Sequence, residues 1–72
     1  MAIVITLNGV SRSINLSGRI VVADVFSCLD AVDQSTSCAV AVNGAVIHRS
    51  SWSNFQLTEG DVVEVILPVV GG

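Results

Sequence analysis

The chain has 72 residues, 51% of them hydrophobic, and a net charge of -3, with only Arg12, Arg19 and Arg49 positive and no lysine at all. That length is one small domain with a thin stability margin, and with Phe26, Phe55 and Trp52 as its only large aromatics the core must be packed from Val, Ile, Leu and Ala. Nucleic-acid binding is excluded for want of a basic patch. No uncharged apolar stretch reaches the roughly 18 residues of a membrane span, and no signal peptide is legible, so the expected compartment is the cytoplasm.

Ala2 to Leu7 is a β-branched run and predicts a strand. Asn8-Gly9 follows, a hairpin signal because a type I′ turn needs positive φ at both central residues. Val10 to Leu16 sets Val10, Arg12 and Ile14 against Ser11, Ser13 and Asn15 and predicts a returning strand near the sheet edge, with one wetter face. Ser17-Gly18 breaks it. Val22, Val25, Phe26, Leu29 and Val32 then fall at helical spacing, with Asp24, Ser27, Asp30 and Asp33 opposite. This predicts an amphipathic α-helix of about three turns, held by packing because its valines lower the intrinsic propensity.

Residues 34 to 37 read as a loop and Cys38 to Val42 as a third strand. Asn43-Gly44 repeats the hairpin signal before a short strand at Ala45 to Ile47. Ser50 to Phe55 is too polar for a strand and suggests a turn of 3₁₀ helix. Glu59-Gly60-Asp61 is a tight turn, and Val62 to Leu67 is the last strand, ended by Pro68, which has no N–H for a ladder. The order ββαββ, turn, β predicts an α+β fold: a mixed sheet of about five strands with one helix across one face.

The first and last strands are almost continuously apolar, as strands at the middle of a sheet are, and are expected to pair in parallel. With Glu64 pointing outward, alternation turns Val63, Val65 and Leu67 toward the helix. Val4, Ala39, Ala41, Val62 and Ile66 then form a weakly apolar patch on the open face, a candidate docking surface. Glu59, Asp61 and Glu64 are candidates to meet basic groups on a partner.

Residues 1–67 are expected to form the domain and 68–72 a flexible tail ending in Gly71-Gly72. Two residues without Cβ make a slim strand that can thread a narrow cleft, with Pro68, Val69, Val70 and Gly71 as the segment a partner would recognise. The Gly72 carboxylate is ionised near neutral pH and can attack the α-phosphate of ATP. A sulfur donor can then displace AMP from the acyl-adenylate and leave a thiocarboxylate. No phosphate-binding GxxxxGK[ST] loop is present, so ATP would be used by a partner, with no cofactor bound here and no side chain catalytic. Cys28 and Cys38 fit no metal or redox spacing and read as buried thiols. His48 reads as an exposed loop residue, and Arg49 and Trp52 as fixing a turn at the edge of the core.

The segment from Ala39 to Gly72 resembles the ThiS family of sulfur carriers in thiamine biosynthesis. The resemblance rests on V-N-G at Val42 to Gly44, R-S-x-W at Arg49 to Trp52, L-x-x-G-D at Leu57 to Asp61 and the final G-G. Length and the N-terminal hairpin extend it over the whole chain. It implies a β-grasp (ubiquitin-like) fold, adenylation at Gly72 by a ThiF-like adenylyltransferase, and sulfur delivery to a ThiG-like thiazole synthase after loading by a sulfur donor enzyme. Two positions depart from the pattern. His48 stands where the family often has Pro, and Pro68 in P-V-V-G-G is similar to the small subunit of molybdopterin synthase (MoaD). Those proteins are usually longer and lack R-S-x-W, which makes that function the alternative. A ubiquitin-like protein modifier is a third, although without lysine the chain cannot form Lys-linked polymers of itself.

Overall fold

The computed structural model describes residues 1–29 and 37–67. Two Asn-Gly pairs shape it: Asn8 and Gly9 have φ of 50° and 81°, and Asn43 and Gly44 have φ of 51° and 87°. Positive φ at both central residues is the type I′ geometry, whose twist matches that of the flanking strands. The first pair joins β1 (Ala2–Leu7) to β2 (Val10–Asn15), and the second joins β3 (Ala39–Val42) to β4 (Ala45–Ile47). Both hairpins are antiparallel.

The last strand, β5 (Val62–Ile66), runs between the hairpins in the order β2-β1-β5-β3-β4. It is parallel to β1, with Thr6 opposite Val62 and Leu7 opposite Val63, and antiparallel to β3. The expected central placement and parallel pairing of the two most apolar strands are both found. Each hairpin turn also bonds β5 through its asparagine: Asn8 Oδ1 accepts from the Val65 N–H at 2.8 Å, and Asn43 Oδ1 accepts from the Val62 N–H at 2.9 Å. The turn residues that create the hairpins thus satisfy donors of the strand that unites them.

Alternation sends Ile3, Ile5, Leu7, Ile14, Val40, Val42, Val63 and Val65 to one buried face. A 3₁₀ helix, Val22–Cys28, covers that face with Val22, Val25 and Phe26. The expected helix is present there, but its described part is wound as 3₁₀ rather than α. Valines at 22 and 25 and Ser27 weaken the α preference. The segment's start is set by the Asp24 carboxylate, which accepts the Val21 N–H at 2.7 Å. The expected continuation through Asp30, Val32 and Asp33, and the loop at 34–36, lie outside the described residues.

Across the end of the core runs the segment that begins with a second short 3₁₀ turn, Arg49–Ser51. The Ile20 carbonyl accepts the Leu57 N–H, and the Val22 and Ala23 N–H groups donate to the carbonyls of Phe55 and Trp52. These bonds bury Ile20, Leu57 and Trp52.

Three expectations are corrected. Leu67, expected toward the helix, follows the last β5 residue and is 49% exposed. Cys28 and Cys38 are half-buried rather than buried. Ala41 points to the open face as expected but is only 6% exposed. It stands in register between Val46 and Glu64, whose longer side chains shade its methyl group.

Candidate functional site

The open face of the sheet is where the fold leaves apolar surface. Val4 on β1 and Val62 and Ile66 on β5 are between 42% and 50% exposed, and Ala39 on β3 is exposed beside Ile66. Val46 of β4, at 65%, extends the patch beyond Ala41. Sequence reading missed Val46, although the signal was available: Ile47 faces the core, so its neighbour on a strand must face away. Of the five residues expected to form this surface, four are exposed on it and Ala41 is enclosed within it. None of the described elements lies over the patch.

The three carboxylates near this face have different surroundings. Asp61 is tied into the turn before β5. Its Oδ2 accepts the Thr58 N–H at 2.8 Å, and its Oδ1 accepts the Asn43 amide at 3.0 Å and the Thr58 hydroxyl at 3.2 Å. Burial pulls its pKa up, but the Thr58 N–H, the Asn43 amide and the Thr58 hydroxyl together hold it below the ordinary 3.8. Glu59 accepts the Val4 N–H at 3.0 Å, and the Gly60 N–H donates to the Val4 carbonyl at 2.8 Å. This turn therefore closes the part of β1 that β5 does not reach. Glu64 is exposed on the open face between Val62 and Ile66 and accepts no hydrogen bond among the described residues.

At the far end of β5, Ser37, Cys38, Ala39 and Ile66 line an open groove. Pro68, Val69, Val70, Gly71 and Gly72, on which the sequence reading places the working group, lie outside the described residues and follow Leu67 directly.

The R-S-x-W element is structural in its described contacts. Trp52 is buried against Phe26, with ring centroids 5.1 Å apart. Its indole N–H donates to the Ile47 carbonyl at 3.0 Å, and the Arg49 guanidinium lies 4.4 Å from the ring centroid. Cation–π contact and edge sealing by a long side chain follow from that stacking. His48 is exposed at the start of the turn. Among the described residues no three His, Cys, Asp or Glu side chains are grouped so as to hold a metal ion, and no helix is long and apolar enough to cross a membrane.

The ThiS family model matches residues 1–72. A crystal structure of the thiamine biosynthesis protein ThiS from Geobacter metallireducens superposes with a TM-score of 0.76 at 24% identity, covering 97% of this chain and all of that one. The solution structure of a thiamine biosynthesis protein from the same organism gives a TM-score of 0.69 at 28% identity over 97% of this chain and 87% of that one. The likeness to the crystal structure establishes the β-grasp fold. No curated protein matches the chain.

Proposed function

The chain belongs to the ThiS family, and on that premise we propose that it is a sulfur carrier for thiamine biosynthesis that is acted on by partner enzymes and catalyses nothing itself. The observation that carries this reading is the family match over the whole chain, which runs through Gly71-Gly72. It favours the ThiS role over that of the molybdopterin-synthase small subunit.

In the proposed reaction the Gly72 carboxylate oxygen attacks the α-phosphate of ATP on a ThiF-like adenylyltransferase. Pyrophosphate leaves and a mixed acyl-phosphate anhydride with AMP forms. A hydrosulfide equivalent from a sulfur donor enzyme attacks the carbonyl carbon. AMP takes the electrons of the cleaved C–O bond, and the proton of the hydrosulfide is released to solvent. The thiocarboxylate is then consumed by a ThiG-like thiazole synthase. Residues 68–72 serve as the segment that enters each partner, and the open face around Val4, Ala39, Val62 and Ile66 seats the partner's surface. The proposed compartment is the cytoplasm, which supplies the ATP the partner would use.

The fold supports this division of labour. β5 lies at the centre of the sheet, paired with β1 at Val62 and Val63 and with β3 from Val63 to Ile66, while the Asn8 side chain accepts its Val65 N–H. A segment that continues from it starts at a rigid anchor, which lowers the entropy lost when a partner takes hold of it. The test is intact-mass spectrometry after incubation with ATP, a ThiF-like adenylyltransferase and a sulfur source. The mass is expected to rise by the difference between sulfur and oxygen, and removal of Gly72 is expected to abolish the rise. Sulfur loading that persists without Gly72 overturns the proposal.

A further inference from the structure

We propose that Glu64 is the charge that selects the adenylating partner, which must present a cationic side chain, best a guanidinium, within an apolar surround. This rests on the sulfur-carrier reading and specifies the partner chemistry of the same face.

Sequence alone offers Glu59, Asp61 and Glu64 together as candidates to meet a basic partner. The structure separates them. Asp61 spends both carboxylate oxygens on Thr58 and Asn43, and Glu59 closes the edge of β1 through Val4. Neither can reorient toward a partner without breaking the turn before β5. Of the three, only the Glu64 carboxylate accepts no hydrogen bond among the described residues. It stands mid-strand on β5, flanked along the strand by exposed Val62 and Ile66 and across it by buried Ala41. No arginine of the described strands joins it on that face: Arg12 is opposite Ile5, whose side chain points into the core, so Arg12 stands on the other side of the sheet.

A partner that covers Val62 and Ile66 must therefore desolvate Glu64 as well. An unpaired carboxylate in such an interface carries a heavy desolvation penalty, whereas a matched cation recovers it and rejects neutral or acidic surfaces. A planar guanidinium can take both carboxylate oxygens and lies flat against apolar neighbours, which an ammonium does less well. Chain geometry adds a second constraint. Five residues follow Leu67, so Gly72 can reach at most about 18 Å from it when fully extended. The surface that receives Glu64 and the site that receives Gly72 must then belong to one enzyme, with its ATP site no farther than that from the end of β5.

The experiment compares wild type, Glu64→Gln and Glu59→Gln as substrates of a ThiF-like adenylyltransferase, following pyrophosphate release over a range of protein and salt concentrations. Both substitutions remove one negative charge, and both keep an acceptor oxygen. Glu64→Gln is expected to raise KM about tenfold with kcat unchanged, the pattern of lost uniform binding, and to flatten the salt dependence of kcat/KM. Glu59→Gln is expected to change KM less than about twofold, as an exposed charge off the contact does. Equal effects of the two variants, or no effect of Glu64→Gln, overturn the proposal, because net charge or apolar contact would then suffice. Thermal unfolding of the two variants controls for folding. Failure here is distinct from failure of the sulfur-carrier reading: the latter removes adenylation of wild type altogether, whereas the former leaves wild type active and Glu64→Gln indistinguishable from it.

Discussion

Replacing Asn43 by Asp tests how the central strand is held. The two side chains are isosteric, and the carboxylate oxygen that takes the place of Oδ1 can still accept the Val62 N–H. What changes is the second contact. In the native protein the Asn43 amide donates to Asp61 Oδ1 at 3.0 Å. In the variant two carboxylates face one another at that separation. Loss of a hydrogen bond to a charged acceptor costs about 1.5 kcal/mol. Repulsion between two exposed like charges at such a distance adds about 1 kcal/mol. The sum, about 2.5 kcal/mol, is a large part of the stability of a domain this small and should lower Tm by about 15 °C.

The pH dependence gives the sharper signature. In wild type the Asp61 pKa is held below its ordinary value. Its contribution to stability is therefore present above the unfolded pKa and is lost as pH falls through the folded one. In Asn43→Asp the like charge opposes ionisation of the second carboxylate, so one apparent pKa of the pair is expected to rise. The pair's penalty is full near neutral pH and disappears as pH falls below the unfolded value, where one of the two is protonated. The difference between the two proteins should accordingly be largest near pH 7 and shrink below about pH 4. Urea unfolding of both proteins at a series of pH values measures it, followed by Trp52 fluorescence. A variant as stable as wild type at neutral pH, or a deficit independent of pH, refutes the reasoning.

Two further substitutions probe the frame around the face. Trp52→Phe keeps an aromatic ring beside Phe26 but leaves the Ile47 carbonyl without the indole donor; a loss of about 2 kcal/mol is expected in chemical unfolding. Gly60 has φ of 87° and its N–H bonds the Val4 carbonyl, so Gly60→Ala should cost about 1–2 kcal/mol through left-handed strain alone, read as a shift in the unfolding midpoint at unchanged m-value.

Much of the scaffold is local and was legible for that reason. Asn8-Gly9 and Asn43-Gly44 state their turn type in two residues each, and the flanking β-branched runs state the strands. The period-two alternation about Glu64 sorted Val63 and Val65 from Val62 and Ile66 correctly. The helix was placed by its apolar spacing, but its hydrogen-bond pattern was not, since i+3 and i+4 spacing serve a 3₁₀ and an α winding nearly alike over two turns. The burial of Ala41 was also out of reach, because it depends on how far Val46 and Glu64 extend over a neighbour on another strand.

By itself the sequence determined the order of elements, the parallel pairing of its first and last strands, the absence of a basic surface and the glycine pair at 71–72. Each of these is written in residue types and short spacings. Only the tertiary structure decided which two of the three carboxylates are spent on the fold and which one is left exposed on the open face. That choice depends on residues far apart in the chain: Glu59 meets Val4 and Asp61 meets Asn43 only after β5 has been drawn between the two hairpins.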